Sequence, residues 1–314
     1  MKKIVFTLLL TLFAVVIRAQ ESQTEYNFLR LPVSAHAAAL GGENITIIED
    51  DPSLMFSNPA LASSVSDKTV GLSYMNYMRG AHYMGASYTK ALGEKATLAG
   101  GVKYMNYGKM KEVDANNVQT GTFNASEIAV EGIFSYELAR NLMGGITAKF
   151  ITSYIGNYNS MAVGVDLGLN WFEPERQWSV SLVAKNLGGQ IKAYEEEYGK
   201  MPIDVQVGVS KTFAALPVRV SATLVDLTHY DYRFINHLNL GAEVLLSESI
   251  WVGGGYNFRK ADEMTIGKDE NASAHGAGFS VGAGINLEQF KLNLAYGKYH
   301  AASNSILVNL AYSF

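Results

Sequence analysis

The chain has 314 residues, no cysteine, 30 glycines, 18 tyrosines and 17% charged residues. The missing cysteine excludes a disulfide framework, a thiolate nucleophile and any Cys-ligated zinc or iron–sulfur centre. A net charge of −4 gives no basic footprint for nucleic acid, and abundant glycine and aromatics with few charges are unlike an ordinary soluble domain.

At the amino terminus Lys2 and Lys3 precede an apolar run from Ile4 to Ile17, and Arg18 and Ala19 offer a processing point before Gln20. This predicts an export signal over 1–19, because the run is too short to span a bilayer comfortably. Without Lys2, Lys3 and Arg18 the net charge moves from −4 to −7.

Residues 20–68 predict an amino-terminal plug of short helices. Phe28 to Leu40 is apolar and alanine-rich, with Pro32 near its start. Asp50 and Asp51 stand before Pro52, and Asn58 stands before Pro59, Ala60 and Leu61. A short acidic or amide side chain followed by proline is a helix-start signal.

From residue 69 the pattern changes to period-two alternation, the signature of strands. Phe279, Val281, Ala283, Ile285 and Leu287 share one face, with Gly278, Ser280, Gly282, Gly284 and Asn286 on the other. Val163, Val165, Leu167, Leu169 and Trp171 likewise oppose Gly164, Asp166, Gly168 and Asn170. A second face of glycine, serine and isolated charges suits a barrel lumen. The chain divides into fourteen such segments: 69–78, 81–91, 95–108, 126–138, 141–154, 159–172, 176–189, 200–213, 216–228, 236–247, 249–259, 276–287, 289–299 and 304–314. Most have the ~9–11 residues a tilted strand needs to cross a bilayer. The fold class predicted is therefore all-β: an antiparallel transmembrane barrel over 69–314 with a short helical plug. A barrel of this width is not filled by wall side chains alone.

The connections alternate in length. Those at 92–94, 139–140, 173–175, 214–215, 247–248 and 287–288 are short, as periplasmic turns are, whereas 109–125, 190–199, 229–235 and 260–275 read as long outer loops. Trp171, Trp178 and Trp251 fall at the expected periplasmic ends and predict an aromatic girdle. The last segment places Ile306, Val308, Leu310, Tyr312 and Phe314 on one face, and outer-membrane barrels commonly resemble this in closing on an aromatic residue. Alternation turns Lys103, Glu131, Lys149, Asp166, Lys185, Asp204, Arg219, Glu243 and Lys291 inward, with both signs interspersed.

No reaction chemistry emerges, and no catalytic residue, cofactor or metal site is assigned. Ser87 and Lys90 form an SxxK pattern, but its companion motifs are absent and Ser87 falls on a strand. Glu195, Glu196 and Glu197 read as a solvated loop tip. His82, His229, His237, His275 and His300 map to outer loops or strand tips without ligand spacing and read as exposed.

The segment from Gly41 to Ser63 resembles the amino-terminal signature of the FadL-like barrel superfamily, through Gly41, Gly42, Asp50, Asp51, Pro52, Asn58, Pro59 and Ala60. The preceding stretch, Phe28 to Gly42, is similar to the opening of the PorQ-like and PorV-related type IX secretion proteins of Bacteroidetes. The likeness is specific over roughly 26–63 and architectural elsewhere. It implies an outer-membrane component of the type IX system, in contact with outer-membrane lipid, working at the cell-surface attachment complex. Partners implied are the sortase PorU, PorV and PorZ, with lipopolysaccharide as the cargo's anchor. Catalysis in that system belongs to the sortase. The alternative function is passive transport of fatty acids or other hydrophobic solutes, as in FadL. The mixed charges of the lumen favour a scaffold, because a hydrophobic-solute tunnel wants an apolar pocket.

Overall fold

The computed structural model describes residues 24–78, 80–213, 215–265, 276–300 and 303–314. The predicted export signal lies outside them. Fourteen antiparallel strands form a closed barrel, each paired with its sequence neighbours, and β1 closes on β14 from Thr69↔Ser313 to Asn76↔Ile306. In chain order they are β1 (Thr69–Met78), β2 (Ala81–Leu92), β3 (Ala96–Val113), β4 (Gln119–Ala139), β5 (Leu142–Ile155), β6 (Tyr158–Glu173) and β7 (Trp178–Lys192). There follow β8 (Asp204–Thr212), β9 (Val218–Leu224), β10 (Leu238–Leu245), β11 (Ile250–Asn257), β12 (Phe279–Asn286), β13 (Phe290–His300) and β14 (Ser303–Ser313). Among the described residues no helix is long and apolar enough to cross a membrane. The strands do the crossing, since a closed sheet satisfies every backbone group without water.

Alternation builds the wall. Leu167, Val207 and Leu240 are exposed on the outside, while their neighbours Asp166, Gln206 and Asn239 are buried inside. The expected short turns are present at one end, where β1 begins and β14 ends.

Three expectations are corrected. The stretch 109–125 is not a loop: β3 runs to Val113 and β4 starts at Gln119, so all but 114–118 is a two-stranded ribbon paired from Lys109↔Asn124 to Val113↔Gln119. Trp251 does not join the girdle. Trp171 and Trp178 are each 40% exposed, but Trp251 is 2% exposed and faces inward between the outward Ile250 and Val252. His237 is not exposed either: it is buried, with Nδ1 bonded to the carbonyl of Val225, and His82, His229 and His300 are half-buried rather than exposed. Of the other expected long connection, 260–275, the first part is helical (α2, Phe258–Glu263), and 266–275 lie outside the described residues.

The wall is uneven. Strands β3 to β7 have 14–21 residues, whereas β8 to β12 have 7–9. Residues 24–68 run inside the barrel as a 3₁₀ turn (Asn27–Arg30), helix α1 (Ala35–Ala39) and two further 3₁₀ turns (Pro52–Phe56 and Pro59–Ser64). Asp51 and Asn58 cap the last two, accepting from the backbone N–H of Ser53 and Ala60, with proline at the first position. Fixed φ and a satisfied orphan donor explain why such short turns hold their shape.

Candidate functional site: the seat of the plug

The plug and the wall meet in two chemically different ways. Against β9 to β13 the plug is held by charge. Ser34 starts α1 and points His36 at the wall, where the imidazole lies flat on Trp251 at 3.7 Å between centroids and 5° between planes. Its Nε2 is 2.6 Å from Glu243, and its Nδ1 is 3.1 Å from Glu49, close enough for an ion pair but poorly aligned for a hydrogen bond. Arg219 reaches across from β9 and donates to both carboxylates, Nε to Glu243 and Nη2 to Glu49. Trp251 in turn donates to Asn293 at 3.0 Å, and Asn293 donates to the capping Asp51 at 3.1 Å. Lys291 pairs with Asp50 at 2.6 Å.

Electrostatics follows from this packing. Burial alone would push the His36 imidazole down, but Glu49 and Glu243 outweigh it and hold it up at about 9. Burial alone would raise Glu49, yet His36 and Arg219 hold it well below the usual carboxylate range. The quartet is thus two anions balanced by two cations, the condition under which buried charge is tolerated. Donor atoms of His36, Glu49 and Glu243 lie within 4.8 Å of one another. Arg219 already occupies both carboxylates, so a metal ion there would have to displace a guanidinium.

Against β4 to β6 the plug is held by close approach. A Cβ at Gly145 would collide with the backbone of Pro59 and Ala60, and one at Gly168 with Asn58 and Pro59. Asn58 Nδ2 donates to the carbonyls of Ile45 and Leu169 and to Ser181. Elsewhere the same device recurs: Gly255 receives the backbone of Leu40 and Gly41, and Gly71 receives Pro52. Glycine on a wall strand weakens the strand, and it is placed where another backbone must come near.

The residues read as inward from the sequence lie as follows. Lys103 pairs with Glu131 at 2.9 Å, and Lys149 pairs with Asp166 at 2.7 Å. Lys185 reaches Glu43 of the plug at 3.8 Å. Asp204 accepts from Gln206 at 2.6 Å and from the backbone of Asp226 at 2.6 Å. Arg219, Glu243 and Lys291 belong to the charged seat. Gly41 and Gly42 both adopt positive φ, 97° and 94°, where the chain leaves α1. Between the plug and the Lys103, Lys185 and Asp204 side chains remains a cavity of about 20 Å³, room for about one water. At the outer end, buried Asp226 binds Arg30 of the plug at 2.6 Å and also Arg259 of α2.

Sequence reasoning missed His36, Glu49 and Asp226. A lone histidine inside an alanine-rich apolar run was the available signal for the first. The other two carry no local signal, because their partners are far along the chain.

A family model described as type IX secretion system membrane protein PorP/SprF matches residues 63–306. No curated protein matches the chain. Among solved structures, the Pseudomonas putida toluene transporter TodX is similar with TM-score 0.55 at 12% identity, over 90% of this chain and 97% of that one. A Pseudomonas aeruginosa FadL homologue is similar with TM-score 0.54 at 11% identity, over 90% and 98%. The CymD monoaromatic hydrocarbon channel is similar with TM-score 0.54 at 13% identity, over 90% and 97%. At these identities the likeness is one of fold.

Proposed function

This chain belongs to the PorP/SprF family of type IX secretion system membrane proteins, and on that premise we propose that it is an occluded scaffold barrel of the type IX cell-surface attachment complex. It is a protein of the outer membrane. The finer assignment, to the PorQ type, rests on residues 26–63, which lie almost wholly ahead of the matched span 63–306. In this reading the barrel docks the sortase PorU together with PorV and PorZ where cargo is joined to lipopolysaccharide. It performs no catalysis itself.

The observation that carries the reading is the seat of the plug. A plug that threads its backbone against wall glycines and buries its own His36 and Glu49 against Arg219 and Glu243 of the wall is built to stay. Mixed charges line the lumen, and the cavity beside Lys103, Lys185 and Asp204 is water-sized, where a hydrophobic-solute path needs a larger apolar pocket. The fold shared with hydrocarbon channels supports the opposite reading, transport of a hydrophobic solute, and one experiment separates the two. Deletion of the protein is expected to impair surface attachment of type IX cargo and to leave growth on long-chain fatty acids unchanged. Normal attachment with lost fatty-acid uptake would overturn the scaffold in favour of the transporter.

A further inference from the structure

The low side of the wall is the place where a membrane is hardest to cross. Strand β9 has 7 residues and β10 has 8, below the ~9–11 that a tilted transmembrane strand needs. Their outer ends stop at Leu224↔Leu238. The connection between them, 225–237, carries exposed apolar side chains: Phe234 is 73% exposed, Tyr230 64% and Ile235 40%. The rest of that connection is anchored. Val225 donates its N–H to the carbonyl of His237, Asn236 donates to Asp262 at 2.9 Å, and Tyr232 stacks on His229 at 5.3 Å. The anchored turn therefore leaves Phe234 and Tyr230 exposed, four and eight residues ahead of the first residue of β10.

We propose that Tyr230, Phe234 and Ile235 insert into the outer leaflet and complete the apolar belt above β9 and β10 at the acyl-chain and headgroup boundary of the membrane, with the exposed charges of the same turn, Asp231 and Arg233, at headgroup level. Two features single out lipid over solvent. The outward residues of the same strands, Val220, Leu240 and Val244, already form an apolar column that the turn continues. Amphipathic and aromatic side chains concentrate at that depth because the ring is apolar while the hydroxyl of a tyrosine stays wet. On the tall side the contrast is plain: the ribbon that projects beyond β2 and β5 is mostly polar, with Lys109, Lys111, Glu112 and Asp114 near its tip.

The absence of native cysteine makes the test direct. Single cysteines at Tyr230 and Phe234 are spin-labelled in the full chain refolded into phosphatidylcholine vesicles, and collision rates with oxygen and with a water-soluble nickel chelate are measured. Leu240 serves as the lipid reference and Asn116, at the ribbon tip, as the water reference. The oxygen-to-nickel ratio at Phe234 is expected to lie nearer the Leu240 value than the Asn116 value. A ratio nearer that of Asn116 would overturn the proposal. Heat-modifiable migration confirms folding of each labelled chain, and F234D provides an independent reading: its fraction inserted into vesicles should fall, and an unchanged fraction would also count against insertion of the turn.

Discussion

The two seats of the plug hold it by opposite means. On the β9–β13 side the plug offers His36 of α1 with Glu49 and Asp50 of the following segment, and the wall answers with Arg219, Glu243 and Lys291. On the β4–β6 side the plug offers bare backbone at Pro59 and Ala60, and the wall answers by having no side chain at Gly145 and Gly168. The first seat is strong in magnitude but depends on ionisation, because each ion is desolvated and must keep its partner. The second is insensitive to pH and depends on shape alone. One segment held both ways has no single contact whose loss frees it.

Arg219 is the residue whose loss acts most strongly on the charged seat. Arg219→Ala leaves Glu49 and Glu243 buried with one cation between them, a change that typically costs about 3–5 kcal/mol. Protease protection of the α1 half of the plug in the folded barrel should drop sharply, while the Asn58 turn stays closed. Retained protection would mean that the charged seat is dispensable.

Alkaline pH should loosen the same seat by a smaller amount. The folded imidazole of His36 titrates at about 9 against 6.5 in the free group. Its contribution is therefore complete below about 6.5 and lost as pH rises through 9. Glu49, depressed below its free value of 4.5, contributes fully above that value and loses its contribution only in strong acid. Protection of the α1 half should peak between these limits and decline toward alkaline pH. The β4–β6 seat should be flat over the same range. A matching alkaline loss at the Asn58 turn would erase the distinction.

Steric change should act on the other seat. Gly168→Val inserts a branched side chain where Asn58 and Pro59 sit, and overpacking of this kind costs about 1–3 kcal/mol. Protection should fail first around 58–64 while the α1 half stays closed. Asn58→Ala removes the cap to Ala60, worth about 0.5–2 kcal/mol, together with the Nδ2 bonds to Ile45, Leu169 and Ser181, so its cost is at least that of the cap. It is read as a modest fall in thermal stability of the refolded barrel.

How much of this was legible in the sequence depends on whether a local pattern carried it. Strand faces were, because every crossing residue meets either lipid or lumen and alternation records that choice at each step. The caps at Asp51 and Asn58 were too, being signals two residues long. The ribbon at 109–125 was not: once it leaves the bilayer neither face is buried, so Lys109, Lys111 and Glu112 replace the alternation that marks a strand. Trp251 was misplaced because residue type outweighed register. Ile250 and Val252 on either side already claimed the outward face. Glu243 and Arg219 were read as inward, but their partners His36 and Glu49 lie about two hundred residues away in the chain. Pairing at that separation is set by closure of the barrel and leaves no periodic trace.

A scaffold barrel requires that the plug stay in place while the protein works. An ideal Cβ at Gly282 falls 2.6 Å from that of Ala39 and 2.5 Å from the carbonyl oxygen of Leu294, so cysteines at 39 and 282 reach the ~3.5–4.5 Å of a disulfide once β12 gives way to the new side chain by about 1 Å. With no other cysteine in the chain, the pair A39C and G282C locks α1 to β12. Surface attachment of type IX cargo is then measured in cells carrying the locked barrel as their sole copy, before and after reduction. A fixed plug predicts wild-type attachment in both states. Attachment blocked in the oxidised barrel and restored by reductant would show that the plug must move, and would contradict the account.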